Sequence, residues 1–241
     1  GPLALIEEGM PVVVLAPRDS YYKKTISNMQ EVIARGAKVL LITNKSKDEI
    51  FSENIYLSDD TGWDLGAPTP VFTDIAKDLR PGKLCILGCG HGYDAIMFSE
   101  KGFNVTAVDF APAPIKYINE RARELSLDIN TIEENIFTLT PKLNNHFDYI
   151  IEQTCFCAID PQKRKTYHDL AYNLLKPGGL IIGLWFPIGK ALSEGGPPFA
   201  VSEKEVKSLF NNRWNIKKEE FPNNSVEPRS GREKLIIFKK L

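Results

Sequence analysis

Net charge is almost absent from this sequence: 30 Lys and Arg stand against 31 Asp and Glu in 241 residues, a formal charge of -1. The basic residues are dispersed, so no basic stripe marks a surface for nucleic acid or an anionic membrane, and neither partner is expected. Short runs such as Lys217-Lys218 followed by Glu219-Glu220 read as a solvated face. Long apolar runs are missing too, so neither a membrane span nor a secretory leader is expected. Cysteine is sparse. The four present (Cys85, Cys89, Cys155 and Cys157) sit in apolar segments and are too few for a disulfide scaffold, which makes the cytoplasm the default compartment. The three histidines, His91, His146 and His168, are scattered, and structural or solvent-facing roles are expected for them. No Ser-His-Asp or Cys-His constellation is evident, and the lone Cys155-x-Cys157 pair lacks the further ligands that zinc needs. No metal is expected, and small buried apolar side chains are the better reading of these two thiols.

What is present is enough apolar material, 43% hydrophobic against 25% charged, to bury a full core in one domain or one and a half. The chain divides near residue 58. Before it, "MPVVVLA" and "KVLLIT" are β-rich runs joined by a segment whose Ile26, Met29, Val32 and Ile33 recur at helical spacing. That is one βαβ unit, with Asp19 or Ser20 as N-cap and Gly36 as the helix stop. "SDDTGWDLGAPT" then reads as loop. A longer alternation follows: strand "KLCILG", helix 93–101, strand "NVTAVD", helix 113–126, strands "INTIEE" and "FDYIIE", helix 161–175 and strand "LIIGLWF". Such alternation predicts an α/β, Rossmann-like fold with a mainly parallel sheet covered on both faces. A helix near 202–211 and β-rich runs at 214–221 and 233–240 close it with an antiparallel hairpin, giving seven strands in all.

In such a sheet the ligand sits beyond the carboxyl ends of the strands, at the switch point. "LCILGCGHGYD" occupies that place. Gly88, Gly90 and Gly92 allow a tight turn and close backbone approach to a ligand. The dinucleotide fingerprint would require Gly at 93, where Tyr93 stands, so a pyrophosphate is disfavoured. Asp109 closes the next strand, where a carboxylate can accept both hydroxyls of a ribose. A nucleoside without a pyrophosphate fits better than NAD.

"ILGCGHGYDA" followed by "VTAVD" resembles the S-adenosylmethionine-binding motif of class I methyltransferases. More narrowly, "GWDLGAPTP", "GCGHGYD", "FCAIDP", "LLKPGGLIIGLWFPI", "GGPPFAVS" and "GREKLIIFKK", in that order, resemble the thiol and halide methyltransferase branch of the thiopurine S-methyltransferase superfamily. Residues 58–241 are accordingly read as a methyltransferase domain. Residues 1–57, through "GPLALIEEGMPVVVLAP" and "NMQEVIARGAKVLLIT", resemble a piece of the C-terminal isomerase (SIS) domain of glutamine-fructose-6-phosphate aminotransferase, without its sugar-phosphate loops. This fragment is expected to be non-catalytic. A lone βαβ piece leaves strand edges open, so docking on a neighbour or pairing into a homodimer is expected of it.

The methyltransferase resemblance implies S-adenosylmethionine as cofactor and a small molecule as acceptor. By position it implies that Gly88, Gly90 and Gly92 form the turn around the methionine portion, that Asp109 holds the ribose, that Phe110 flanks the adenine and Asn135 meets its amino group, and that Asp94 and Ile136 also bind the cofactor. Trp63 corresponds to an aromatic that folds over the sulfonium, where cation–π attraction is worth roughly 0.5 to 2 kcal/mol. Glu152 and Gln153 fall beside the transferring methyl group and are the candidate catalytic residues, with Glu152 the nearest candidate base. Here the sequence departs from its relatives, which show an acidic-aromatic pair followed by aromatics; a more polar pocket speaks against halide methylation. A thiol acceptor of pKa about 8.5 is partly ionised at neutral pH, so a dedicated base is not obligatory. Segment 189–202, dense in Gly and Pro, and the Trp63 loop are expected to form a mobile cover. Two other readings stay open: a cofactor-binding regulatory protein without transferase activity, and a halide or thiocyanate methyltransferase.

Overall fold

The computed structural model describes residues 7, 9–17, 19–34, 36–43, 64–139 and 141–241, which fall into two units, one within 1–54 and one within 55–241. Trp63 lies outside the described residues. In the first unit, β1 (Pro11–Leu15) pairs in parallel with β2 (Lys38–Ile42), and α1 (Tyr22–Ala34) makes the crossover. Asp19 accepts the N–H of Tyr21 on its side chain (2.9 Å) and that of Tyr22 on its carbonyl (3.1 Å), leading the chain into α1. Gly36, at φ 85°, ends it. Tyr22, Ile26 and Met29 pack with Ala16 against Val14, Val39 and Leu41. Val32 is buried, but Ile33, predicted for the same stripe, is exposed. It stands one residue from the helix end, beyond the reach of a two-stranded sheet. Val13, Leu15, Leu40 and Ile42 point away from α1 and are exposed.

The second unit is built on β3 (Lys83–Leu87), β4 (Asn104–Asp109), β5 (Ile129–Glu133), β6 (Phe147–Gln153), β7 (Leu175–Trp185), β8 (Trp214–Glu220) and β9 (Lys234–Lys240). Their order in the sheet is β5-β4-β3-β6-β7-β9-β8. The first five are parallel, and β9 runs antiparallel to both β7 and β8. Among the described residues, five helices flank the sheet: α2 (Pro70–Asp78), α3 (Tyr93–Glu100), α4 (Pro112–Glu124), α5 (Arg164–Leu174) and α6 (Glu203–Leu209). Leu84 and Ile86 pack with α2, α3 and α4, whereas their neighbours Cys85 and Leu87 pack with α5 and α6. The period-two alternation thus feeds two cores, one on each face.

Two elements differ from the sequence expectation. The predicted loop is followed by α2, a helix opened by Pro70, whose Val71, Phe72 and Ala76 are buried. Strand β7 begins five residues earlier than "LIIGLWF", at Leu175, because Phe147 pairs with Leu175 before the register shifts and Tyr149 meets Leu180.

Candidate active site

The strand order reverses between β3 and β6, and the turn from β3 into α3 lies at that point. Gly88, Gly90 and Gly92 all have positive φ (66°, 52° and 72°), a region that side chains resist. At Gly92 a Cβ would lie 2.4 Å from Ile118 of α4, so only glycine lets the two helices approach. At Gly88 a Cβ would press on Cys155 Sγ at 3.0 Å.

Asp109, at the end of β4, ties this turn to the sheet. Its Oδ2 accepts the Gly90 N–H (3.0 Å) and its Oδ1 the Ala111 N–H (2.9 Å). Burial nevertheless pushes its carboxyl up to about 6 against those donors. Asp94, in the first turn of α3, accepts from Thr69 twice, from the backbone N–H at Oδ1 (2.8 Å) and from the hydroxyl at Oδ2 (2.9 Å). It too is pushed up to about 6, chiefly by burial, with Thr69 and the Arg229 charge pulling down.

Glu152 and Gln153 are neighbours in β6 and therefore face opposite sides of the sheet. Gln153 lines the cavity, its Oε1 2.8 Å from Thr69 Oγ1. Glu152 is absent from the cavity wall. It is buried on the other face, where it accepts the Tyr167 hydroxyl and the Phe156 N–H (2.8 Å), and burial pushes it up to about 7. A carboxylate so engaged shapes the loop after β6 and stands away from any acceptor in the cavity. Thr154, the next residue, adopts φ 58°, unusual for a β-branched side chain and itself on the cavity wall.

Asp64, Gly88, Gly90, His91, Asp94 and Gln153 are among the residues around this cavity of about 80 Å³. That is small beside the roughly 300–1,000 Å³ of a drug-sized ligand site. The segment from Asp64 to Thr69 roofs it, and His91 Nδ1 pairs with the Asp64 carboxylate. Tyr117 stands edge-on to His91, ring centroids 5.3 Å apart. A ligand of nucleoside size therefore requires this roof to move. A wider, open groove of about 760 Å³ along Pro68, Asp74, Met97 and Glu100 runs outside α2 and α3 and includes none of the glycine turn.

The structure thus gathers Gly88, Gly90, Gly92, Asp94 and Gln153 on one cavity, with Asp109 holding the turn. Phe110, Asn135 and Ile136 follow β4 and β5, away from that wall. Asn135 uses its side-chain oxygen to cap the turn at Phe137 (3.0 Å), and Ile136 is buried in the core. The predicted cover at 189–202 is partly pinned: Phe199 N–H donates to the Cys157 carbonyl (2.7 Å), and the Ala200 carbonyl accepts from Arg164 (2.9 Å). Asp64, Thr69, His91 and Thr154 were missed as site residues. For Thr69 the signal was its place directly before a helix-opening proline, and for His91 its place inside the glycine turn.

Cys89 and Cys155 adjoin the turn. Burial pushes both thiols well above their ordinary value, reinforced at Cys89 by the Asp109 charge and at Cys155 by that of Glu152.

The sequence matches the family model for thiopurine S-methyltransferase over residues 46–239 and that for the SIS domain over residues 1–74. A probable thiol methyltransferase 2 from Arabidopsis thaliana is 34% identical over 188 residues, 75% of this chain and 80% of that protein. Thiocyanate methyltransferase 1 from the same plant is 28% identical over 221 residues, 89% and 95% of the two chains. A glutamine–fructose-6-phosphate aminotransferase from Brucella abortus is 61% identical over 49 residues, which are 20% of this chain but 8% of that enzyme. Among solved structures, the 1,6-didemethyltoxoflavin-N1-methyltransferase of Burkholderia thailandensis, with S-adenosylhomocysteine bound, superimposes with a TM-score of 0.65. It is 20% identical, over 80% of this chain and 86% of that one, and shares the fold.

Proposed function

The chain belongs to the thiopurine S-methyltransferase family, and from that premise we propose that its acceptor is a small thiol. It is an S-adenosylmethionine-dependent methyltransferase. The cofactor, when bound, would supply a methyl group on a sulfonium, whose transfer to a thiol yields a methyl thioether, S-adenosylhomocysteine as leaving group and one proton. The site fits such a ligand on two counts: positions 88, 90 and 92 of the turn carry no Cβ, and a buried carboxylate stands behind that turn. In this reading Gly88, Gly90, Gly92 and Asp94 hold the methionine portion, and Asp109 the ribose through the lone pairs that Gly90 and Ala111 leave open. Phe110, Asn135 and Ile136 border the adenine.

Catalysis by these residues is mainly positioning, since the reacting atoms must be held nearly collinear about 3 Å apart. Gln153 and Thr154 are the side chains beside the acceptor. Glu152 acts through the loop it anchors, so the thiol proton leaves to solvent. The single observation carrying the proposal is the convergence of the glycine turn, Asp109 and Gln153 where the strand order reverses. The test is a calorimetric titration with S-adenosylhomocysteine, followed by a screen of thiol, sulfide, thiocyanate and halide acceptors. Turnover of thiocyanate or halide without turnover of any thiol would reverse the choice of acceptor, and the name of the 28% identical relative makes thiocyanate the second reading.

Residues 1–57 are read as a non-catalytic SIS-like fragment joined to a transferase domain of residues 58–241. Among the described residues no helix is long and apolar enough to cross a membrane. A cytoplasmic place, and a homodimer paired through the exposed sheet face of the fragment, complete the proposal. A monomer by light scattering would end the pairing reading.

A further inference from the structure

The backbone donors of the glycine turn are largely spent inside the fold. The Cys89 N–H donates to the Val108 carbonyl (3.0 Å), the Gly90 N–H to Asp109 (3.0 Å) and the Gly92 N–H to the Cys89 carbonyl (3.0 Å). Hydroxyls on the cavity wall are engaged as well: Thr69 Oγ1 lies 2.9 Å from Asp94 Oδ2, and Thr154 donates to the Gln153 carbonyl at 2.7 Å. Among the described residues no Lys or Arg lines the cavity. One donor and one acceptor are nevertheless released by the movement that a nucleoside-sized ligand requires. His91 Nδ1 stands against Asp64 Oδ2, and a carboxylate only accepts, so Nδ1 carries the hydrogen. Asp64 Oδ1 accepts the Gly66 N–H (2.7 Å), which ties this carboxylate to the roof while His91 belongs to the turn beneath. The other end of the roof is fixed, because Thr69 is 3% exposed and bonded to Asp94 through both its N–H and its hydroxyl. The Asp64 and His91 side chains keep 16% and 21% exposure. The roof therefore hinges at Thr69 and parts at Asp64.

We propose, resting on the methyltransferase reading above, that Asp64 and His91 together bind the amino-acid end of the cofactor, His91 Nδ1–H donating to its carboxylate and Asp64 Oδ2 accepting from its ammonium. In the closed structure the two side chains satisfy each other in place of that zwitterion. A ligand that carries both charges exchanges one charge-assisted contact for two and leaves neither side chain unmet. A nucleoside without the amino-acid end must break the same pair and returns nothing for it. The pair thus sets a threshold that the nucleoside part alone does not repay, and it selects for the complete cofactor.

The experiment is calorimetric titration of the full chain with S-adenosylhomocysteine and with 5′-methylthioadenosine, the same nucleoside thioether without the amino-acid end. Wild type is expected to bind the first more tightly by about tenfold or more. His91→Phe keeps a ring against Tyr117 and loses the donor; Asp64→Asn keeps an acceptor for the Gly66 N–H and loses the charge. Each should lower the ratio of the two affinities about tenfold by weakening S-adenosylhomocysteine. Methylthioadenosine should bind each variant at least as well as it binds wild type, since no pair remains to be broken, and its binding shows that the variant is folded. A pair that merely latches the roof behaves otherwise: its removal tightens both ligands alike and leaves the ratio unmoved. That result in both variants, or equal loss of both ligands in both, overturns the inference. Folded wild type that binds neither ligand fails the methyltransferase reading itself, and the inference with it. Wild type that binds both ligands equally well fails the inference alone.

Discussion

Asp109 accepts the Gly90 N–H at 3.0 Å, so the last residue of one strand fixes the middle of the turn that leaves its neighbour. In the proposed reading the same carboxylate has two tasks, holding the loop and meeting the ribose. Asp109→Ala should weaken S-adenosylhomocysteine by about 100-fold in calorimetry, the worth of two lost hydrogen bonds to a charged group. Binding within a few-fold of wild type would show that the ribose is held elsewhere.

Gly92 permits no substitute. Alanine there meets both φ 72° and the side chain of Ile118 at 2.4 Å. Gly92→Ala should cost about 2–4 kcal/mol of unfolding free energy in denaturant titration. Gly231 also has positive φ (69°), but a Cβ there would meet nothing within 4 Å, so Gly231→Ala should cost about 1 kcal/mol. Equal losses would mean that α3 and α4 are not packed through this glycine.

Glu152 predicts a pH dependence of stability. Its folded value of about 7 exceeds the ordinary 4.5, so between those values the native protein holds the proton more tightly than the unfolded chain. Stability contributed by this group is therefore full below about 4.5, falls as pH rises toward 7, and stays lowered above it. Asp94 and Asp109 act in the same direction, and comparison with Glu152→Gln removes them. From pH 5 to 8.5, wild type should lose on the order of 2 kcal/mol relative to Glu152→Gln. Parallel stability curves for the two proteins would place Glu152 in a more solvated setting.

The roof over the cavity should respond to ligand. Hydrogen exchange with S-adenosylhomocysteine should change protection at residues 64–67 and at His91, whose pairing with Asp64 closes the space. Buried Val201, bridged to Ile188, should remain protected throughout. An unchanged pattern at 64–67 would mean that entry occurs by another route.

How much of this was legible in the sequence follows from the range of each contact. The strands, the glycine turn and Asp109 are local matters, written in apolar runs, backbone freedom and the end of a strand. The helix α2 was legible in principle, since Pro70 followed by Val71, Phe72, Ile75 and Ala76 carries both a start signal and an apolar stripe, but the Gly- and Pro-rich stretch before it masked the start. The choice between Glu152 and Gln153 was not legible. A strand buried on both faces, "FDYIIEQ", shows no alternation from which to tell the two sides apart. Nor were Thr69, Asp94 and Gln153 readable as a group, because their contacts join positions 25 and 84 residues apart.

The half-buried setting of Cys89 and Cys155 has a consequence for an enzyme that handles an electrophilic methyl group. Thiolates are the reactive form, and desolvation raises both thiols well above their ordinary value beside the glycine turn. A thiol in water therefore ionises more readily than either of these two, which disfavours methylation of the protein's own sulfur atoms beside that turn.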